Sequence, residues 1–187
     1  MNAVGNSIVL IGMMGAGKSS VGTCLQRRTA LPLFDTDDII ALKFALSIPE
    51  IFSKHGERKF REAETQALRD LSETKRAIIV TGGGIVLRHE NLQILERLGV
   101  TIWLDGNEET LFERASRSGN RPLLQLKSSR RAFARMLQAR QLLYGSVADV
   151  RVDTSALTDE EVAVAILSKL ARLGAIPQPR PPIPATA

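Results

Sequence analysis

Cysteine and aromatic side chains are both scarce in this 187-residue chain, which has one Cys, one Trp, one Tyr and six Phe. A lone cysteine, Cys24, cannot close an intrachain disulfide. Its place on an apolar helix face reads as a small buried hydrophobe in a reducing compartment. With so few rings to stack on bases, the net charge of +5 does not describe a nucleic-acid surface. The arginines fall in helical patterns and beside glycine-rich segments, which suits a small anionic ligand. No apolar run reaches membrane-spanning length, nothing at the N-terminus has the character of a signal peptide, and no internal repeat is present. These absences point to a cytoplasmic protein with neither a membrane nor a nucleic-acid partner. Hydrophobic residues make up 44%, which is enough for one α/β domain with a sizeable core.

What is present centres on Gly12-Met-Met-Gly-Ala-Gly-Lys-Ser19, directly after the apolar run Ile8–Ile11. The pattern G-x-x-x-x-G-K-S between a buried strand and a helix is a phosphate-binding loop. Its glycines, among them Gly15 and Gly17, let consecutive N–H groups point at one anion. The helix starting near Lys18 adds the positive end of its dipole to the same spot. Lys18 is placed to reach the β- and γ-phosphates of a nucleoside triphosphate, and the Ser19 hydroxyl to ligate Mg²⁺.

Further along, Leu31–Phe34 ends in Asp35-Thr-Asp37-Asp38. Read as extended backbone, Asp35 and Asp37 project together from the carboxyl end of a second strand, suiting a metal's water shell and a hydroxyl-activating base. Pro49 marks a helix break or first turn. Phe60, Ala63, Ala67, Leu68 and Leu71 then give a helix with Arg61 and Glu64 as i, i+3 neighbours. Ala77–Thr81 is a buried strand that ends in Gly82-Gly83-Gly84, where something bulky approaches the backbone. Val100–Leu104 and Asp149–Thr154 complete five strands alternating with helices, hence a parallel α/β sheet. Between the last two strands, the basic segment Arg117–Leu124 reads as a mobile flap. A helix there carries Arg140 and Tyr144 one turn apart. Thr158-Asp-Glu-Glu161 is a capping box opening the last helix. Five of the eight prolines lie between Pro177 and Pro184, a polyproline-like, disordered tail.

The set Gly12–Ser19, Phe34-Asp-Thr-Asp37, Phe60-Arg61-x-x-Glu64, Gly82–Gly84, Arg121-Pro-Leu and Arg140 resembles shikimate kinase, in the family's order and spacing from residue 8 to about 170. The resemblance implies a three-layer α/β/α P-loop kinase fold with strand order 2-3-1-4-5, a mobile lid and a substrate-binding insertion. Residues 1–174 would form the single domain, with the substrate subregion at about 36–64, the lid at about 114–128, and the tail at 175–187. The implied reaction moves the ATP γ-phosphate to the 3-hydroxyl of shikimate, with one Mg²⁺ per subunit, in a monomer. Carried over by position, Gly15, Ala16, Gly17, Lys18, Ser19, Ser20, Arg114 and Arg121 serve ATP. Arg114 would stack on adenine, and Arg121 would close on the phosphates. Ser19 and Asp35 hold the metal, and Asp37 contacts the accepting hydroxyl. Arg61, Arg140 and Gly82–Gly84 receive the substrate acid, whose carboxylate suits a guanidinium fork. Lys18, Asp37 and Arg121 carry the chemistry.

Phe44-Ala45 stand where the family commonly has Thr-Gly, so the turn there is expected to differ. Two rival readings remain at this stage: a kinase of another small hydroxylated acid such as gluconate, and a nucleotide-switched binding module. Arg61, Arg140 and the triple glycine argue against the first. The lack of an Asn-Lys-x-Asp guanine signature argues against the second.

Overall fold

The computed structural model describes residues 6–74, 76–117 and 129–174. Most of the expected lid, Arg121 and the proline-rich tail lie outside these residues. The five apolar runs become the strands β1 (Ser7–Ile11), β2 (Leu33–Asp35), β3 (Ile78–Val80), β4 (Gly99–Asp105) and β5 (Val150–Asp153). They form one sheet in the order β2-β3-β1-β4-β5, every pair parallel. That is the strand order implied by the resemblance. Central β1 is buried along its whole length. Its apolar run Ile8–Ile11 follows from this, since a parallel strand covered on both faces has no solvent side to make polar.

The helices are α1 (Lys18–Thr29), α2 (Thr36–Phe44), α3 (Ile48–Leu71), α4 (His89–Leu98), α5 (Glu108–Arg117), α6 (Ser129–Val147) and α7 (Asp159–Arg172), with a 3-10 turn at Ile85–Leu87. α1 packs on α7, while α4 packs on α3 and α6, giving the three layers. Cys24 is 6% exposed within the main core, and burial raises its thiol pKa. The capping box forms: the Glu161 N–H donates to Thr158 Oγ1 at 3.3 Å and the Thr158 N–H to Glu161 Oε2 at 2.8 Å.

Two features set the substrate end apart. Ile40, Ile51, Phe60 and Ala67 form a second, smaller apolar cluster with Phe44, Leu46, Ile48 and Phe52 around it. α3 belongs to both cores, because its far end contributes Leu68 and Leu71 to the main one. It is also broken at Gly56, whose φ of 77° and ψ of 167° are not helical. The periodicity that sharpens from Glu57 in the sequence is the second half of this helix.

The Phe44-Ala45 turn closes α2 with Ala45 in the left-handed conformation (φ 52°, ψ 36°), its N–H donating to the carbonyls of Ala41 and Leu42. The turn therefore has the geometry that glycine favours, without the glycine. A β-carbon in this conformation costs about 1–2 kcal/mol. Glycine gives part of that back through the entropy of the unfolded chain, about 0.4–1 kcal/mol. Ala45→Gly should therefore stabilise the protein by about 0.5–1 kcal/mol. Ala41→Gly, inside the same helix, should destabilise it by about 1 kcal/mol. Urea midpoints of the two variants check the pair of opposite signs.

Candidate active site

The phosphate loop joins β1 to α1, and Gly17 caps the helix at φ 84°, a conformation with ready access only for glycine. The Lys18 ammonium folds back over the loop and donates to the carbonyl oxygens of Gly12 at 2.9 Å and Met13 at 3.1 Å. Ala16 is buried against the core, and its N–H donates to Met13 O at 3.2 Å. Gly15, Gly17, Lys18, Ser19 and Ser20 line the mouth of a cavity of about 1220 Å³.

Asp35 and Asp37 both line that cavity, but not as neighbours on one strand. The strand ends at Asp35 and Thr36 opens α2, so Asp37 belongs to a helical first turn and the extended-backbone reading is corrected. The cause is local: Asp35 is itself the cap, its Oδ1 accepting from the Asp37 N–H at 2.9 Å, which starts the helix two residues earlier than a longer strand would allow. The other Asp35 oxygen accepts from the Ser19 hydroxyl at 3.2 Å. Burial holds the Asp35 carboxyl above its ordinary range, against the bond from the Asp37 N–H. Ser19 and Asp35, the two expected metal residues, thus present two hard oxygen donors side by side. No group of three or more His, Cys, Asp or Glu suited to a metal exists among the described residues. A cation here would draw its remaining ligands from phosphate and water, as Mg²⁺ commonly does.

At the far end of the cavity, three glycines meet two arginines and two acids. An added β-carbon on Gly84 would sit 2.2 Å from Arg61 Nη1 and 2.5 Å from its Cζ, so the guanidinium lies directly on the glycine backbone. On Gly82, a β-carbon would sit 2.8 Å from Asp37 Oδ1 and 2.9 Å from Glu64 Oε1. The bulky groups that the triple glycine admits are therefore the protein's own side chains. Arg140 Nη1 and the Tyr144 hydroxyl both donate to Gly83 O, at 3.2 and 2.5 Å. Arg61 and Arg140, which start from α3 and α6, thus converge on adjacent glycines.

The Arg61–Glu64 pair is no solvated helix-face bridge. Nη1 donates to Glu64 Oε2 at 2.6 Å, and the Glu64 side chain has no exposed surface. Its Oε1 is buried without a hydrogen-bond partner. Burial pushes the Glu64 carboxyl up to about 7, opposed by the charge and hydrogen bond of Arg61. Burial also raises the Tyr144 phenol to about 12, with Arg140 acting the other way, so Tyr144 is a neutral donor throughout the physiological range.

Arg114 donates to Thr154 Oγ1 and to Thr154 O, at 3.3 and 3.0 Å. Leu157 and Thr158 line the same cavity as Arg114. Arg121 lies outside the described residues. Sequence reasoning left Glu64, Tyr144 and Glu57 out of the site. The repeated spacing of α3 does mark residues 57, 61 and 64 as near neighbours on one helix, but not that they face inward. Ser47 precedes α3, and its N–H donates to Glu50 Oε2 at 2.9 Å.

A family model described as "Shikimate kinase" matches residues 14–171. The chain is 42% identical over 167 residues to the shikimate kinase of Thermodesulfovibrio yellowstonii, covering 89% of this chain and 96% of that one. Among solved structures, the shikimate kinase of Acinetobacter baumannii in complex with shikimate matches with a TM-score of 0.86 at 33% identity, over 91% of this chain and 96% of the other. The shikimate kinase of Aquifex aeolicus matches with 0.79 at 36% identity, over 90% and 98% of the two chains. No helix among the described residues is long and apolar enough to cross a membrane.

The raised Glu64 carboxyl makes stability depend on pH. Its folded pKa of about 7 lies above the ordinary 4.5, so between these values the folded state holds more protons than the unfolded one. The resulting stabilisation is fully present below about pH 4.5 and is lost as pH rises through 7. The expected fall is on the order of 3 kcal/mol. Asp35, raised as well, acts with the same sign. Glu64→Gln should flatten most of this slope, and urea unfolding at several pH values between 4 and 8 measures it.

Proposed function

The chain belongs to the shikimate kinase family, and from that premise we propose that this cavity transfers the γ-phosphate of ATP to the 3-hydroxyl of shikimate, giving shikimate 3-phosphate. One observation carries the reading. A single continuous cavity runs from the phosphate loop, past Asp37, to Arg61 and Arg140 against Gly82–Gly84. An anionic acceptor held at the arginine end would present a hydroxyl to the phosphate end.

The division of labour follows from the chemistry of each group. The loop N–H groups and Lys18 hold the β- and γ-phosphates, Lys18 exchanging its contacts to Gly12 O and Met13 O for phosphate oxygens. Ser19 and Asp35 would hold Mg²⁺, which, when bound, neutralises charge on the phosphate oxygens. Asp37 accepts the proton of the attacking hydroxyl. Arg61 and Arg140 fix the shikimate carboxylate through planar, multi-donor contacts. Arg114, with Leu157 and Thr158, receives the adenine. Phosphoryl transfer needs positioning and charge neutralisation more than covalent help from the protein, which is what this set offers. The groups named all belong to one chain, as the expected monomer requires, and the cytoplasm is the expected location.

A coupled ADP-release assay, with and without shikimate and with gluconate as a rival acceptor, tests the reading directly. Turnover should depend on shikimate; turnover with gluconate instead would overturn the acceptor. Lys18→Met should lower turnover by about 10²-fold or more with the fold intact. Arg61→Lys and Arg140→Lys keep the charge but lose the fork. Each should lower kcat/KM for shikimate by about ten- to a hundredfold, with the KM for ATP little changed. An unchanged shikimate KM in both variants would remove these arginines from the acceptor site.

A further inference from the structure

Arg61 is occupied from two sides. Besides Nη1 on Glu64, its Nε and Nη2 both donate to a single oxygen of Glu57, at 3.2 and 3.1 Å. The edge formed by Nε and Nη2 is one of the two faces on which a guanidinium can take a carboxylate. Glu57 holds it with a carboxylate of its own. The two acids differ sharply in setting, since the Glu64 side chain is wholly buried whereas that of Glu57 is 64% exposed. Glu64 is thus fixed, and Glu57 can turn into water at little cost. Glu57 lines the same cavity. It is also the first residue after the break at Gly56, where an added β-carbon would meet nothing within 4 Å.

We infer that Glu57 is an internal stand-in for the acceptor's carboxylate: it neutralises Arg61 while the acceptor is absent and must yield that edge when an anionic acceptor binds. Glu57 is then a specificity-determining residue, because it sets a threshold that only a carboxylate able to out-compete an exposed ion pair can cross. The contact also keeps the guanidinium charge-paired on the Gly84 backbone between turnovers. The inference rests on the proposed role of Arg61 in acceptor binding.

An ion pair whose acid stands largely in water is weak, so the competition is shallow. Glu57→Gln should lower the shikimate KM about two- to fivefold, leaving kcat and the KM for ATP unchanged. Direct binding of shikimate by calorimetry should tighten by the same factor. Shikimate methyl ester, which carries no carboxylate charge, should gain nothing. A structural role for Glu57 predicts the reverse, a shikimate KM that rises together with a loss of thermal stability, and that result would overturn the inference. An unchanged KM would overturn it too, as would an equal gain for the ester, which would make Glu57 an obstruction to any acceptor rather than a rival to its carboxylate. Wild-type protein that fails to bind shikimate at all would instead refute the acceptor assignment, so the two failures are told apart in one experiment.

Discussion

The Arg61 guanidinium rests on Gly84 at a separation that no residue with a β-carbon would permit, and much of the substrate end follows from that contact. It fixes where α3 lies against the end of β3 and brings Glu64 under cover beside Gly82. Once Glu64 is buried, Arg61 must stay beside it, since a buried carboxylate left without its cation is costly. Arg88 adds a brace from the far side, donating to the Arg61 carbonyl at 3.2 Å. A positive group that would otherwise sweep through water is thereby held in one orientation. That saves the ordering entropy a flexible side chain would lose on meeting its ligand.

The two ends of the cavity solve opposite electrostatic problems with the same sheet. At the phosphate end, backbone N–H groups and the Lys18 ammonium, held on Gly12 O and Met13 O, gather positive potential. At the acceptor end, two arginines are tempered by Glu57, Glu64 and Asp37. On the proposed reading, a polyanionic nucleotide would meet fixed dipoles, and a singly charged acid would meet charges that are partly balanced. Both arrangements hang from the carboxyl ends of parallel strands, where side chains and loops from neighbouring strands converge.

Much of this was legible in the sequence where the signal is local. The phosphate loop, the five strands and the Thr158–Glu161 cap depend on residues within a few positions of one another, and each forms, the strand ends shifted by one or two residues. The Asp35–Asp37 geometry misled because a strand and a helix compete for the same residues: Asp35 is a better helix cap than strand terminus, and the period changes at that point. Burial of Glu64 was not legible. Periodicity places it next to Arg61, but only the approach of β3 and its glycines decides whether that face meets water. Likewise, the sequence marks Gly82–Gly84 as a place of close approach without saying that the approaching atoms belong to residues 37, 61 and 64.

The second apolar cluster, built from Ile40, Ile51, Phe60 and Ala67, shares α3 with the main core yet owes little of its packing to the sheet. On the proposed reading, changes in its side chains would alter the acceptor end and leave the sheet and the phosphate loop in place. On an evolutionary scale, that independence makes the acceptor half a replaceable part. A descendant could exchange one polyol acid for another by revising residues between α2 and the middle of α3, and inherit the phosphate chemistry intact.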